Sequence, residues 1–210
     1  MIKIKICGIT NKEDAVLAAS MGADFLGFNF YDGSPRKVSE KNCKEIITSL
    51  PPFVSCVGLF VNTDIKAAAK ISKKCGFKLV QLHGDETPEY CKELKSLANL
   101  PLIKAFRVKD VSVLGIIEQY KDACDYILLD AFVDGEPGGT GEVFNWDIAV
   151  KAKDFGKPVF LAGGLTPENA AEAIKIVKPF AVDTASGVER LQRRKDYDKL
   201  KAFMTASRNA

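Results

Sequence analysis

Five side chains suited to proton transfer and anion binding stand after short apolar runs of the chain. They are Cys7, Arg36, His83, Asp130 and Asp183. A thiolate acts as a base, a carboxylic acid kept protonated by its surroundings donates a proton, and a guanidinium binds a carboxylate through paired hydrogen bonds. Taken singly, each residue also has a structural explanation, such as core packing or turn capping. If the fold brings them together, they suit an isomerisation that moves one proton off carbon and another onto oxygen.

Lys5 lies two residues before Cys7 and shares its face if this segment is a strand. A neighbouring cation lowers the pKa of a thiol. We therefore hypothesise that Lys5 lowers the pKa of Cys7. A buried lysine also needs an acidic partner, and Asp130 and Asp183 are the candidates.

Glycines late in the chain stand where a phosphate would bind. Gly163-Gly164 follows a short apolar run and precedes a predicted helix, and Ser186-Gly187 follows the last predicted strand. Glycine lets backbone N–H groups approach a phosphate closely, and a helix N-terminus favours the negative charge. We predict that Gly163, Gly164, Ser186 and Gly187 bind phosphate. A third cluster, residues 138–141, is not needed for this site and is interpreted as a loop over it.

Short apolar runs alternate with segments of helical periodicity along the chain. The predicted strands are Ile2–Cys7, Phe25–Phe30, Phe53–Phe60, Lys78–Leu82, Leu102–Phe106, Tyr126–Leu129, Val159–Leu161 and Ala181–Asp183. Strand and helix repeat roughly eight times, at about 25 residues per unit, which predicts an α/β protein with a (β/α)8 (TIM) barrel. A doubly wound open sheet uses the same unit and is the structural alternative. Because no linker or shift in composition divides the chain, residues 1–210 are predicted to form a single barrel domain.

The alternation within the first strand predicts its orientation in such a barrel. One face carries Ile2, Ile4 and Ile6, and the other carries Lys3, Lys5 and Cys7. The outer face of a barrel strand packs under helices and is apolar. We therefore expect both lysines and Cys7 to face inward, with Cys7 at the carboxyl rim, where barrel active sites lie.

Composition excludes several classes of protein. The chain has 210 residues, 47% hydrophobic and 27% charged, with a formal net charge of +3. These values are typical of a globular protein and not of collagen or a disordered tail. The basic run Arg190–Lys195 is interpreted as a solvated face, so no nucleic-acid partner is expected. The N-terminus lacks the apolar core of a secretory signal, and no stretch of about 18 apolar residues predicts a membrane span.

The six cysteines are expected to be reduced, since nothing in the sequence indicates secretion. They show no C-x-x-C spacing typical of zinc or redox sites, and the chain shows no dinucleotide-binding fingerprint. We therefore expect a cytoplasmic protein that needs neither a metal nor another cofactor.

Several motifs together resemble those of the phosphoribosylanthranilate isomerase family. They are KICGIT at 5–10, GF at 27–28 with SPR at 34–36, QLHG at 81–84, LD at 129–130, GGTG at 138–141, LAGGL at 161–165, VD at 182–183 and SGVE at 186–189. They follow the family's order and extend over nearly the whole chain. The start at Cys7 combined with the segment around His83 is the most specific part of the resemblance.

The resemblance implies a barrel enzyme of tryptophan biosynthesis. Its reaction would be the cofactor-free Amadori rearrangement of N-(5-phosphoribosyl)anthranilate, a small phosphosugar, to 1-(2-carboxyphenylamino)-1-deoxyribulose 5-phosphate. By the same resemblance Asp130 is the general acid at the ring oxygen and Cys7 the general base at sugar C2. The resemblance further implies that Arg36 binds the anthranilate carboxylate and that His83 and Asp183 line the sugar site. The chain is compatible with a monomer or a homodimer.

One departure from the family pattern lies close to these residues. Asn29 stands where an aliphatic residue is more usual, on the strand face opposite Phe28 and Phe30. A buried amide needs hydrogen-bond partners. We therefore expect Asn29 to have one if it is buried.

Three other functions remain open from the sequence. A Schiff-base aldolase or lyase would use a desolvated lysine, and Lys5 or Lys104 could be placed inside the barrel for this role. A non-catalytic barrel would only bind a phosphate ligand. A sugar-phosphate isomerase of histidine biosynthesis, which uses two aspartates, would be expected to carry aspartate in place of Cys7.

Overall fold

Eight parallel strands close into a barrel in the computed structural model, which describes residues 1–131 and 144–210. The strands are β1 (Lys3–Ile6), β2 (Phe25–Asn29), β3 (Ser55–Phe60), β4 (Leu79–Leu82), β5 (Leu102–Val108), β6 (Tyr126–Ala131), β7 (Val159–Leu161) and β8 (Ala181–Thr184). Pairing of β1 with β8 completes the barrel, with Lys5 opposite Asp183 in the register. The predicted (β/α)8 barrel is confirmed, and the open sheet is wrong.

Helices follow the strands and cover the outside of the barrel. They are α1 (Lys12–Ser20), α2 (Glu40–Thr48), α3 (Ile65–Cys75), α4 (Pro88–Ala98), α5 (Val113–Glu118), α6 (Trp146–Ala152), α7 (Ala170–Val177) and α8 (Tyr197–Arg208). The side chains of Asn11, Asp64 and Thr87 each accept a hydrogen bond from a backbone N–H in the first turn of α1, α3 and α4. These caps explain why the three helices begin at these residues.

All eight predicted strands are present, and only their ends differ. The third begins at Ser55 rather than Phe53, because residues 51–54 form a turn in which the Val54 N–H donates to the Pro51 carbonyl. The fifth continues to Val108, which pairs with Ala131. The predicted loop at residues 138–141 lies outside the described residues.

The barrel separates an inner apolar cluster from an outer one between sheet and helices. Nine buried residues form the inner cluster: Phe25, Val57, Leu79, Ile103, Ala105, Leu128, Phe160, Ala162 and Ala181. Ile4 and Ile6 belong to the outer cluster, so the predicted orientation of β1 is confirmed. Lys3 is the exception, because its side chain is 47% exposed and pairs with Asp24.

Lys5 is fully enclosed among these inner residues. Its Nζ donates to both carboxylate oxygens of Asp183 at 3.0 Å. Of the two predicted partners, Asp183 is therefore the one that pairs with Lys5. Burial alone would lower the pKa of Lys5, but the Asp183 carboxylate and the Cys7 thiol outweigh it, and the pKa is raised.

Lys104 does not face the barrel interior. Its neighbours Ile103 and Ala105 belong to the inner cluster, so Lys104 points toward the helices. There its Nζ donates to Glu86 at 3.0 Å and to the Gly84 carbonyl at 2.7 Å. The placement of Lys104 inside the barrel was wrong.

None of the helices in the described ranges is long and apolar enough to cross a membrane.

The Lys5–Asp183 pair generates a test of stability. We expect Lys5→Met to lower the free energy of unfolding by about 3 kcal/mol or more, because a buried carboxylate loses its counter-ion. Lys3→Met on the same strand breaks the exposed pair with Asp24 and should cost less than about 1 kcal/mol. Chemical denaturation of both variants measures the difference. Equal losses would show that the buried pair does not stabilise the barrel more than the surface pair.

Candidate active site

A cavity of about 840 Å³ opens at the carboxyl end of the barrel. The residues predicted for catalysis and binding all line it: Cys7, Arg36, His83, Asp130, Gly163, Gly164, Asp183, Ser186 and Gly187. They come from the ends of β1, β4, β6 and β8 and from the loops after β2, β7 and β8. Active sites of this fold lie at this rim because the loops after parallel strands converge there.

Cys7 follows β1 directly and is only partly buried. Its N–H donates to the Thr184 carbonyl at 2.8 Å, which ties it to the end of β8. Desolvation raises the pKa of the thiol above its ordinary value, although the Lys5 and Lys195 ammonium groups oppose the shift. Lys5 does act to lower this pKa, as hypothesised, but the net shift is upward because the cost of burying the thiolate exceeds the attraction of the cations.

His83 and Asp130 lie next to each other in the cavity lining. The imidazole Nε2 lies 3.3 Å from Asp130 Oδ2, and its Nδ1 lies 3.2 Å from Gln81 Nε2. An amide nitrogen only donates, so with this amide orientation Nδ1 accepts and the ring proton is on Nε2, which makes no hydrogen bond within the described residues although Asp130 is near. Gln81 is buried on the same strand face as His83. The sequence analysis gave it no role, although it lies in the motif at 81–84.

Arg36 is held by a residue that the sequence analysis did not select. Its Nε and Nη2 donate to the two carboxylate oxygens of Glu189 at 2.9 and 2.7 Å. These hydrogen bonds raise the pKa of Arg36. The edge formed by Nη1 and the second N–H of Nη2 is not used by Glu189, so the guanidinium can pair with a second carboxylate.

Asn29 shapes the loop that carries Arg36. Its Nδ2 donates to Ser34 Oγ at 3.0 Å, and its Oδ1 accepts from the Tyr31 N–H at 2.8 Å. The Ser34 hydroxyl also accepts from the Arg36 N–H at 3.2 Å. The expectation that Asn29 has hydrogen-bond partners is confirmed, and these partners position Arg36.

The glycine segments after β7 and β8 lie against each other at the cavity wall. A Cβ at Gly187 would overlap the Leu165 carbonyl oxygen, so the two loops approach more closely than a side chain permits. The Thr184 hydroxyl donates to the same carbonyl at 2.7 Å. A short 3₁₀ helix, Ser186–Val188, begins here. This arrangement suits an anion bound through backbone N–H groups.

A two-stranded hairpin of β9 (Glu189–Leu191) and β10 (Arg194–Lys195) follows this 3₁₀ helix. Arg194 is 48% exposed, but the side chain of Lys195 is completely buried and its Nζ lies 3.3 Å from Glu189. The interpretation of the whole basic run as a solvated face is therefore wrong for Lys195. The pairing of Glu189 with Lys195 in the hairpin explains why this cation is turned inward.

Over residues 1–131 and 144–210, no group of three or more His, Cys, Asp or Glu side chains is arranged to hold a metal ion. All six cysteines are free thiols.

The fold and the cavity define the class of protein. It is a (β/α)8 barrel with acid, base and anion-binding groups gathered at the carboxyl rim, the place where enzymes of this fold bind their substrates.

Comparison with known proteins identifies the family. The family model described as N-(5'-phosphoribosyl)anthranilate (PRA) isomerase matches residues 4–206. The enzyme of that name from Trichlorobacter lovleyi is 49% identical over 211 residues, covering all of both chains. That from Geobacter metallireducens is 50% identical, covering 97% of this chain and 98% of its own. The chain therefore belongs to the N-(5'-phosphoribosyl)anthranilate isomerase family.

Solved structures agree with this result. Phosphoribosyl anthranilate isomerase from Thermotoga maritima superposes over the full length of both chains with a TM-score of 0.93 and 37% identity. A second structure, at a TM-score of 0.90, 36% identity and full coverage of both chains, is in complex with reduced 1-(o-carboxyphenylamino)-1-deoxyribulose 5-phosphate.

The state of the Cys7 thiol can be measured by alkylation. Because its pKa is raised, little thiolate exists at neutral pH, and the rate of iodoacetamide modification should keep increasing beyond pH 9.0, the ordinary pKa of a thiol. Mass spectrometry at each pH gives the rate at Cys7. Cys7→Ser is the control, since the other five cysteines are buried. A rate that levels off below pH 9.0 would show that the neighbouring lysines lower the pKa of Cys7 by more than burial raises it.

Proposed function

We propose that this protein catalyses the cofactor-free Amadori rearrangement of N-(5-phosphoribosyl)anthranilate in tryptophan biosynthesis. Membership of the isomerase family over residues 4–206 supports the reaction. The observation that carries the mechanism is the convergence of Cys7, Arg36 and Asp130 on one cavity. These groups supply the base, the carboxylate receptor and the acid that the reaction requires.

The first step opens the furanose ring. Asp130 donates a proton to the ring oxygen while the anthranilate nitrogen forms a double bond to C1, and the C1–O bond breaks. The products are a protonated Schiff base and an Asp130 carboxylate. His83 Nε2 lies 3.3 Å from Asp130 Oδ2, close enough to donate a hydrogen bond to the carboxylate that forms once the substrate is bound.

The second step transfers a proton away from carbon. The Cys7 thiolate removes the proton from C2, the electron pair forms a C1–C2 double bond, and the iminium nitrogen becomes neutral. The resulting enolamine tautomerises by gaining a proton at C1 and losing one from the C2 hydroxyl, which gives the ketone. The ammonium groups of Lys5 and Lys195 favour the thiolate that this step needs.

The remaining residues bind the ends of the substrate. The unused edge of Arg36 receives the anthranilate carboxylate, and Asp183 with His83 lines the sugar. Gly163, Gly164, Ser186 and Gly187 hold the phosphate through backbone N–H groups, as loops after the last two strands do in other barrels.

The Schiff-base alternative has no suitable nucleophile among the two lysines considered for it. A lysine attacks a carbonyl only as the neutral amine. Lys5 is paired with Asp183 and its pKa is raised, and Lys104 points away from the cavity.

Residues 1–210 are proposed to act as one domain. A solved relative from Thermotoga maritima is described as dimeric; for this chain, monomer or homodimer stays a prediction, as does a cytoplasmic location without a nucleic-acid partner.

The acid and base roles predict a large loss of turnover in Cys7→Ala and Asp130→Asn. Each should lower kcat by about 10²–10⁴-fold, the usual contribution of general acid–base catalysis, with the fold retained. The assay follows the fluorescence of freshly generated phosphoribosylanthranilate, with the product confirmed by mass spectrometry. Asp198→Asn, an exposed aspartate on α8, is the control. Near-normal turnover in either site variant would refute the role of that residue.

The carboxylate role of Arg36 predicts selective loss of affinity. Arg36→Met should weaken binding of the reduced product at least about tenfold, because one charge-assisted contact is lost, and should leave binding of inorganic phosphate within about twofold. Calorimetric titration measures both ligands, with the exposed Arg190→Met as the control. Equal losses for both ligands would contradict this assignment.

A further inference from the structure

Glu189 lies between two cations, one of which, Arg36, lines the cavity. Arg36 donates to both of its oxygens, and Lys195 Nζ lies 3.3 Å from Oε1. The side chains of Arg36, Glu189 and Lys195 are 14%, 5% and 0% exposed. Neither the acid nor the base role uses Glu189, and Lys195 only assists Cys7. A buried cluster of charges beside the substrate cavity therefore lacks an assigned role of its own.

Burial lowers the pKa of Lys195, but its hydrogen-bond partners fit the ammonium form. Its Nζ donates to the carbonyls of Cys7 at 2.7 Å and Ala185 at 2.8 Å, in addition to Glu189. Three acceptors use the three N–H groups that only the charged form possesses. Burial would raise the pKa of Glu189, but hydrogen bonds from Arg36 and the charge of Lys195 hold it below its ordinary value, so Glu189 is ionised.

Two cations and one anion leave this cluster with one positive charge. An Arg36–Glu189 pair without Lys195 would be neutral as a whole and would attract an added carboxylate only weakly. With Lys195 present, the cluster can receive one further negative charge. The anthranilate carboxylate carries that charge.

The direction of the Arg36 side chain is also constrained. Gly8 has φ +74°, and a Cβ there would lie 2.5 Å from Arg36 Cδ. The arginine therefore passes directly over the residue that follows the base Cys7. Glu189 then holds the Nε–Nη2 edge, which determines where the opposite edge can meet a ligand.

We propose that Glu189 and Lys195 are positioning residues for recognition of the substrate carboxylate: Glu189 orients the Arg36 guanidinium, and Lys195 offsets the charge of Glu189 so that Arg36 can still bind an anion. The inference rests on the proposed function. Through the carbonyls of Cys7 and Ala185, Lys195 also connects this subsite with the base and with the loop before the phosphate-binding residues.

Three variants separate the effect of the cluster's net charge from the effect of the Arg36 orientation. Lys195→Met brings the cluster to a charge of zero, Glu189→Gln to +2, and the double variant back to +1. The ligands are the reduced product and a matched compound with aniline in place of anthranilate, which lacks only the carboxylate. Calorimetry gives the affinity ratio of the two ligands, and steady-state assays give kcat and KM.

We expect Lys195→Met to reduce the preference for the carboxylate ligand at least about tenfold, since removal of one close charge in a poorly solvated site has this scale. The double variant should recover the preference to within about threefold. The kcat of the double variant should stay as low as that of Glu189→Gln, because both lack the Glu189 carboxylate that orients Arg36. A purely structural role predicts instead that the double variant is at least as impaired as Lys195→Met, and that result would overturn the proposal.

Controls distinguish the possible failures. Glu13→Gln and Arg194→Met each break an exposed ion pair that joins the same hairpin to α1. Neither variant should change the affinity for either ligand. If Lys195→Met does not fold, Lys195→Gln is uncharged but can still donate to the Cys7 carbonyl. A wild-type protein without turnover would contradict the proposed function itself. The result would contradict this inference alone if the wild type turns over substrate, Arg36→Met loses affinity for the reduced product, and Lys195→Met keeps the wild-type preference for the carboxylate ligand.

Discussion

The ion pair between Lys5 and Asp183 lies at the seam where β1 joins β8, and the site depends on it. The two residues are partners in the strand register, so the pairing that closes the barrel also brings their charges together. A charged side chain can be enclosed at this depth only beside an opposite charge. Asp183 lines the cavity and Lys5 is fully buried beside it, and the next inward-facing residue after Lys5 is Cys7. The proposed base is therefore placed by the closure of the sheet.

Other charged side chains of the site are also paired with groups of opposite charge. Arg36 and Lys195 share Glu189, and His83 faces Asp130. The Cys7 thiol stands among these groups, and burial raises its pKa in spite of two nearby lysines. A neutral thiol adds no negative charge to a cavity that is proposed to admit a phosphate and a carboxylate. In the proposed mechanism the thiolate is needed only for the proton transfer from C2, so the resting site can favour binding while the lysines support the later step.

Local periodicity was sufficient to predict the eight strands and the location of the candidate site residues, because residues at the carboxyl ends of parallel strands share one rim. Periodicity was insufficient to predict which side chains face the barrel interior where both faces of a strand are apolar. In β5 the residues around Lys104 are hydrophobic on either side, so alternation does not reveal which face is inside. The direction of the Cys7 pKa shift also required the structure, since it depends on the balance between burial and charge. The pairing of Glu189 with Arg36 joins residues 153 positions apart, and no local pattern indicates it.

The two halves of the site are held in different ways. The proposed base, the proposed acid and the Asp183 carboxylate stand at the ends of strands, where the barrel's hydrogen bonds hold them. Arg36 stands in a loop, and it is held by side chains: the Asn29–Ser34 contact at its base, Gly8 beneath it and Glu189 at its guanidinium. Asn29, where the sequence departs from the family pattern, belongs to the contacts that hold Arg36 and makes no side-chain hydrogen bond to the proposed acid and base. In the proposed mechanism, recognition of the substrate carboxylate therefore depends on long-range side-chain contacts, whereas the proton transfers depend on the barrel itself.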